Sequence, residues 1–242
     1  MPPKSTLIKI GDFFFKFRNL LFPCTLIALF VTQSPVHEYM GSRTLLYVKD
    51  IVALLIVLSG LGLRAAVIGY KYIKRGGMNK KVYAEDLVTD GFFAVCRNPL
   101  YVGNFLIYAG VLLMHGAPLV ILLGSLFFLF VYTAIVAAEE YFLREKFGAA
   151  FEAYCADVPR WRMKWSRLSA ATQGMEFNTM RVIVKDYTTI TNALIALLAI
   201  KLLEQMTYTQ NTYAVALMGG IAFCVVAVIA IRVLKKRGVI TA

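Results

Sequence analysis

A series of long apolar runs is the feature that most constrains the fold of this chain. Six runs alternate with more polar segments, at residues 19–32, 45–70, 100–114, 119–138, 188–205 and 213–232. Most of them approach the roughly 20 apolar residues that an α-helix needs to cross the hydrocarbon core of a bilayer. Because a spanning segment must satisfy its own backbone hydrogen bonds, each run is expected to be a helix. The sequence therefore predicts an all-α, polytopic membrane bundle with about six transmembrane helices.

The net charge of +12 is explained by a membrane rather than by a nucleic acid. Most of the 26 Lys and Arg residues lie in four segments that alternate with the apolar hairpins, at residues 1–18, 71–97, 144–185 and 232–237. Basic residues concentrate on the cytoplasmic side of membrane proteins, and anionic lipid headgroups favour the same placement. We therefore predict a multi-pass protein that contacts the lipid bilayer, binds no nucleic acid and has both termini in the cytoplasm.

The alternation of segments also suggests three parts. Residues 1–54 are predicted to form N-terminal membrane helices, 55–165 a core with the candidate functional groups, and 166–242 a polar linker, through residue 186, followed by two membrane helices. Packing or oligomerisation accounts for the last two helices, and the sequence does not define the oligomeric state. The four cysteines are scattered without a C-x-x-C pair, which indicates neither a metal site nor a disulfide framework.

A polar stretch, Arg-Asn-Pro-Leu-Tyr-Val-Gly-Asn at residues 97–104, stands where a basic segment meets an apolar run. Proline is favoured in the first turn of a helix, so we predict Asn98 as the N-cap and Pro99 as the first helical residue. A helix N-terminus presents unpaired N–H groups that suit an anionic group, and Gly103 permits close approach to the backbone. Two interpretations remain open for the stretch. It is the start of a membrane helix with no further role, or it is a helix start that also lines a ligand site.

A second polar cluster, Glu139 and Glu140, follows the apolar run 119–138. A short turn joins this run to 100–114, so we predict a helical hairpin that folds back on itself. Its two ends then meet on the cytoplasmic side, and both acids come close to Arg97.

Gly60 and Gly62 in the second apolar run are expected to add close backbone access to this pocket. Two carboxylates beside Tyr101, an arginine and a helix N-terminus suit a ligand that carries both an amine and a carboxylate. Arg144 lies four residues after Glu140, and the two side chains can equally pair on one face of a helix.

Arg64 lies within the same apolar run as the two glycines. A charged side chain at membrane depth is costly, and it is by default a candidate for a functional site. Together with the glycines it also fits a non-enzymatic membrane scaffold or transporter. The sequence shows no pair of interrupted helices of the kind that transporters use.

Three blocks of the chain resemble the isoprenylcysteine carboxyl methyltransferase family of membrane enzymes: residues 97–103, the pair 139–140, and the stretch from Phe147-Gly148 to Val158-Pro159-Arg160. Gly60-Leu61-Gly62 resembles the glycine motif of the related phosphatidylethanolamine N-methyltransferases. The blocks follow the family's order and spacing over residues 55–165. At the position of Asn98 the carboxyl methyltransferases usually carry His, whereas the phospholipid branch can carry Asn.

The resemblance implies an integral membrane methyltransferase that holds S-adenosylmethionine at the cytosolic face and takes a lipid, or a prenylated or other lipid-linked substrate, from the bilayer. Its implied catalytic residues are Glu140, Arg97 and Arg160, with Arg160 at the lid or the substrate entrance. The positions implied to contact the cofactor are Gly60, Gly62, Asn98, Pro99, Tyr101, Gly103, Glu139, Glu140 and Arg144. A carboxylate acceptor is already nucleophilic, whereas an amine acceptor must first lose a proton, for which Glu140 or Glu139 is the candidate base.

The same resemblance extends to steroid and sterol reductases, whose core binds NADPH beside a Pro-x-Tyr-x-Gly stretch. That alternative predicts a Glu directly after the glycine, where this chain has Asn104. The transferase is therefore the favoured interpretation.

Overall fold

The computed structural model describes residues 4–71, 82–208 and 213–241, which form helices and loops and no β-strand. The α-helices of these residues are α1 (Thr6–Thr32), α2 (Arg43–Tyr70), α3 (Pro99–His115), α4 (Pro118–Phe147), α5 (Ala149–Asp157), α6 (Leu168–Thr172), α7 (Thr179–Tyr208) and α8 (Ala214–Lys236). Short 3₁₀ turns lie at Gly91–Ala94 and Trp165–Arg167.

Five of these helices, α1, α2, α4, α7 and α8, are long and apolar enough to cross a membrane, and α3 is a shorter apolar helix. The predicted all-α polytopic membrane bundle with about six membrane helices is therefore confirmed.

The membrane helices pack in an order that differs from their order along the chain, and α3 also contacts α7. Helix α1 packs against α4, α4 against α3, α3 against α2, α2 against α7, and α7 against α8. The α3–α4 hairpin therefore lies between α1 on one side and α2 on the other. Side chains at the ends of this hairpin therefore have α1 on the α4 side and α2 on the α3 side.

Aromatic rings fill the space between α1, α3 and α4. Phe22 contacts Tyr108, Phe128 and Tyr132 edge-on, with ring centroids 5.5–5.9 Å apart. Tyr108 stacks on Phe128 at 3.8 Å. Edge-to-face and offset pairs are the favourable geometries for aromatic rings, so this cluster fixes the hairpin against α1.

A tight turn makes α3 and α4 antiparallel. Helix α3 ends at His115, Gly116 adopts a left-handed φ of +82°, and Pro118 begins α4. His115 is buried in this turn, where its Nε2 lies 3.1 Å from the carbonyl oxygen of Gln33 and its ring stacks on Phe30. Because the turn is short, the start of α3 and the end of α4 lie at the same end of the bundle, hereafter the Pro99 end.

Helix α7 begins at Thr179, earlier than the sequence predicts. The last residues of the expected linker, 179–186, are therefore helical. The polar side chains there predict an exposed linker, but Asp186 is only 1% exposed and packs into the bundle. Polar composition fails to predict this burial because Arg64, which is distant in sequence, forms an ion pair with Asp186.

Candidate active site

The two ends of the α3–α4 hairpin meet through direct side-chain contacts. The guanidinium of Arg97, two residues before α3, donates to Oε1 of Glu140 near the end of α4, with N–O distances of 3.1 and 3.2 Å. One turn into α3, the hydroxyl of Tyr101 donates to Oε1 of Glu139 at 2.6 Å. The juxtaposition expected from the hairpin is therefore present at the Pro99 end.

Glu140 accepts hydrogen bonds from two arginines at once. Besides Arg97, the guanidinium of Arg160 donates to both of its oxygens, with the Nε–Oε1 distance at 3.0 Å. The carboxylate is 6% exposed and Arg97 12%, whereas Arg160 is 42% exposed. A buried carboxylate must be neutralised and hydrogen-bonded to offset its desolvation, and charge-assisted bonds of this kind are the strongest available. Glu140 is thus a fixed anionic centre, with Arg160 as its solvent-facing partner.

Arg97 has little donor capacity left for a ligand. Its Nη1 donates to the carbonyl oxygens of Cys155 and Val158, both at 2.9 Å, while its other nitrogens bind Glu140. The fork of an arginine suits such simultaneous contacts. Arg97 therefore joins the start of α3, the end of α4 and the end of α5, and it holds Glu140 in place.

Residues 95–98 and 155–164 form a clamp through their backbones. The Arg97 amide donates to the Pro159 carbonyl at 3.0 Å, and the Lys164 amide donates to the Val95 carbonyl at 3.0 Å. Asn98 occupies the predicted N-cap position before Pro99, but its amide donates to the Arg160 carbonyl at 3.2 Å and does not cap the helix. Asn98 is therefore at the predicted position before the helix, but its side chain binds the chain after α5 instead of the helix N-terminus.

Two further groups support the clamp. The Tyr154 hydroxyl donates to the Phe93 carbonyl at 2.7 Å, and burial raises the pKa of this phenol well above its ordinary value. Burial also raises the pKa of the Cys96 thiol, whose sulfur lies 3.4 Å from the Arg160 carbonyl. Both groups are therefore protonated donors that hold backbone, with no reactive anion at either position.

An open recess of about 320 Å³ lies beside the clamp. It is lined by Thr89, Ala94, Ala150, Ala153, Tyr154, Asp157 and Val158. The small alanine side chains leave this volume free, and Asp157 on its rim pairs with Arg167.

The predicted glycine contacts divide between two faces of α2. Gly60 packs directly on α3, where a Cβ atom would stand 2.6 Å from the Gly103 carbonyl oxygen. Gly62 is exposed, and a Cβ there would meet nothing within 4 Å. The structure therefore brings Gly60 and Gly103 together as a helix seam and leaves Gly62 apart from them, because residues two apart on a helix point in different directions.

Arg144 also lies apart from the acids. It is exposed on the last turns of α4, and its guanidinium pairs with Glu152 of α5. The alternative pairing with Glu140 on one helix face is wrong, since Glu140 turns inward to Arg97 and Arg160.

Sequence reasoning missed the partner of Arg64. The arginine is buried within α2 and forms an ion pair with Asp186 of α7, 122 residues away. The only signal in the sequence was the cost of an unpaired charge at that depth, which requires some acid elsewhere in the bundle.

The fold and these contacts define a class: a multi-pass membrane protein with a charge-paired polar site at one end of a helical hairpin. The model of the phospholipid methyltransferase family matches residues 48–150, a little under half of the chain. This segment contains α2, α3, α4 and both acids, and the match confirms the resemblance to the membrane methyltransferases. It supports membrane methyltransferase as the general class of the protein. No curated protein and no solved structure matches the chain significantly.

Proposed function

We propose that the protein is an S-adenosylmethionine-dependent methyltransferase that acts on a lipid or lipid-linked acceptor at the cytoplasmic face of a membrane. The observation that carries the proposal is the meeting of Arg97, Tyr101, Glu139 and Glu140 at the Pro99 end, within the segment that the family matches. Among the described residues, the basic ends of α1 and α8 lie at this same end of the bundle, beside the end of α4 and the start of α7, which supports a cytoplasmic orientation.

The donors and acceptors of the site fit this cofactor. S-adenosylmethionine supplies an electrophilic methyl group and carries an ammonium, a carboxylate and ribose hydroxyls. Glu139 and Glu140 are acceptors for ammonium or hydroxyl groups, and the half-exposed guanidinium of Arg160 is a partner for a carboxylate. The Tyr101 hydroxyl adds a neutral hydrogen-bonding group. Among the other positions implied by the resemblance, Asn98, Pro99 and Gly103 belong to the first turns of α3, and Gly60 supports these turns through the seam.

The contacts suggest different roles for the two acids. Glu140 accepts hydrogen bonds from two guanidinium groups, so both of its oxygens are already engaged. Glu139 accepts its hydrogen bond from the uncharged phenol of Tyr101, and among the described residues no guanidinium donates to it. We therefore assign Glu140 as the fixed electrostatic centre and Glu139 as the candidate general base, with Arg97 as the group that positions Glu140.

A phospholipid amine is the acceptor that the observations favour. The matched family is described as phospholipid methyltransferase. The resemblance described above also allows Asn at position 98 in the phospholipid branch. An amine attacks only after it has lost a proton, and Glu139 is available for that step. A prenylcysteine carboxylate is the second candidate, and it would need no base.

The proposal is tested by measuring the transfer of label from S-adenosylmethionine to two acceptors by the purified protein in vesicles. One acceptor is a phospholipid with a primary amine headgroup, and the other is a prenylated cysteine peptide. We expect labelled phospholipid, and a loss of about 100-fold or more in Glu139→Gln, since general base catalysis contributes on that order. Glu145→Gln, an exposed acid on the same helix, is the matched control. No label in either acceptor, together with no binding of S-adenosylhomocysteine, would overturn the assignment.

The reductase alternative has a simple test. Asn104 occupies the position where a reductase is expected to carry Glu, and here its side chain accepts a hydrogen bond from Arg64. A ligand that binds the folded state raises its melting temperature. We expect S-adenosylhomocysteine to stabilise the protein in detergent and NADPH to have no effect, and the reverse result would favour the reductase.

A further inference from the structure

A buried polar node lies between α2, α3 and α7. Nε of Arg64 donates to Asp186 at 3.1 Å, Nη2 donates to the same carboxylate and to the Thr189 hydroxyl at 3.2 Å, and Nη1 donates to the side chain of Asn104. Nη1 also lies 3.5 Å from the Leu100 carbonyl oxygen. Arg64 is 4% and Asp186 1% exposed. Every nitrogen of the guanidinium thus has a partner, as a charge at this depth requires.

The node reaches the part of α3 that carries the proposed site. Leu100 precedes Tyr101, and Asn104 lies one turn further along the same helix. Arg64 therefore holds the first two turns of α3 from the α2 side, while Glu139 holds Tyr101 from the α4 side. The position of Tyr101 depends on both.

Gly103 has a specific reason to be a glycine in this arrangement. A Cβ atom there would stand 2.6 Å from Cγ of Arg64 and 3.0 Å from the Gly60 carbonyl oxygen. The stem of Arg64 crosses α3 at this residue, and any larger side chain would displace it. The glycine attributed to cofactor access thus also makes room for the arginine.

We propose that Arg64 and Asp186 are positioning residues of the methyl-transfer site and that helix α7 contributes to that site through them. Asp186 lies beyond residue 150, where the family match ends, so α7 adds an element that the matched segment lacks. Asp186 orients the guanidinium, and the guanidinium fixes the start of α3 and with it Tyr101. This inference rests on the proposed function.

A second ion pair between the same two helices supplies a matched control. Lys201 of α7 pairs with Asp50 of α2, and each of them has a further partner, Glu204 and Lys49 respectively. Because Lys49 also donates to the carbonyl oxygens of Leu113 and Met114, this cluster lies near the end of α3 opposite Tyr101, and Lys49 keeps those two partners in the control variant. Neither residue contacts the first turns of α3. If α7 acted only as structural support, loss of either pair would affect the site equally.

The test compares two double variants of the full-length protein in detergent. Arg64→Met with Asp186→Leu replaces the node by apolar side chains, since such replacements of a buried ion pair are often neutral for stability. Asp50→Asn with Lys201→Gln removes the control pair. The two measurements are hydrogen exchange of the amides of residues 98–104 and the affinity for S-adenosylhomocysteine by calorimetry.

We expect the node variant to exchange at residues 98–104 about tenfold faster or more. Its affinity for S-adenosylhomocysteine should fall roughly 10- to 100-fold, because small displacements in a site are costly. The control variant should keep wild-type values. Wild-type exchange and affinity in the node variant, or equal losses in both variants, would overturn the inference.

Two further outcomes are separable. If the apolar variant does not fold, Asp186→Asn preserves the volume and one hydrogen bond to Arg64, and the same measurements on it decide the matter. If the wild-type protein itself binds no S-adenosylhomocysteine, the proposed function fails, whereas exchange at residues 98–104 still decides whether Arg64 orders the start of α3.

Discussion

Replacing Glu140 by Gln would remove the charge that two guanidinium groups share while keeping the size of the side chain. Arg97 would remain only 12% exposed without its carboxylate, and breaking a buried ion pair costs about 3–5 kcal/mol. Two carbonyl oxygens still bind Arg97, and Arg160 is exposed enough to turn to water. We therefore expect the lower end of this range, a loss of about 3 kcal/mol in the free energy of unfolding.

The chain offers its own probe for this measurement. Of its two tryptophans, Trp161 directly follows Arg160 within the clamp of residues 95–98 and 155–164, and Trp165 directly follows the clamp. Unfolding in detergent, followed by tryptophan fluorescence, therefore reports on opening of the clamp. Glu140→Gln should shift the transition clearly to lower denaturant or temperature.

The matched control is Glu152→Gln, which breaks the pair with Arg144, both partners of which are about half exposed. Exposed ion pairs contribute about 0–1 kcal/mol, so this variant should melt like the wild type. If the two variants lost the same stability, or if Glu140→Gln lost less than about 1 kcal/mol, the buried Glu140 pair would contribute no more than an exposed one and the reasoning would be refuted.

Three further predictions concern other parts of the site. Tyr101→Phe should weaken S-adenosylhomocysteine binding by about 1 kcal/mol, roughly fivefold by calorimetry, and should lower the melting temperature as well, because the carboxylate of Glu139 loses its donor. Gly60→Ala should destabilise the α2–α3 seam, because a Cβ there stands 2.6 Å from a backbone carbonyl, whereas Gly62→Ala should be neutral or slightly stabilising in the same thermal melt. The hydrogen bonds from Arg167 to Asp157, at 2.7 and 2.8 Å, hold the pKa of that carboxyl below its ordinary 3.8. The stabilisation from this pair is thus present above that pH and lost as the pH falls through the lowered pKa, and Asp157→Asn should weaken this acid dependence in tryptophan-monitored unfolding.

The architecture was predictable from the sequence because few solutions exist for apolar runs in a bilayer. Length and composition fixed the number of helices, and a short turn between two runs forced them to lie antiparallel. That topology brings Arg97 close to Glu140 whatever the detailed packing. The start of α3 at Pro99 followed from local chemistry, since proline is favoured in the first turn of a helix.

The rest depended on information that no local pattern carries. The rotation of α2 decides that Gly60 packs on α3 while Gly62 faces outward, and apolar composition on all sides of a membrane helix leaves that rotation undetermined. The pairing of Arg64 with Asp186 spans 122 residues, and the acid stood in a segment that composition alone assigned to a linker. Long-range ion pairs of this kind are evident only once the helices are packed.

The clamp has a consequence for where this protein can be cut or fused. Arg97 lies inside the segment that the family matches, yet two of the carbonyls that it binds, those of Cys155 and Val158, lie after residue 150. A fragment that stops at residue 150 would leave the most connected side chain of the site without those partners. The smallest autonomous unit must therefore extend past Lys164, and shuffled or split versions of the chain should be joined beyond that residue.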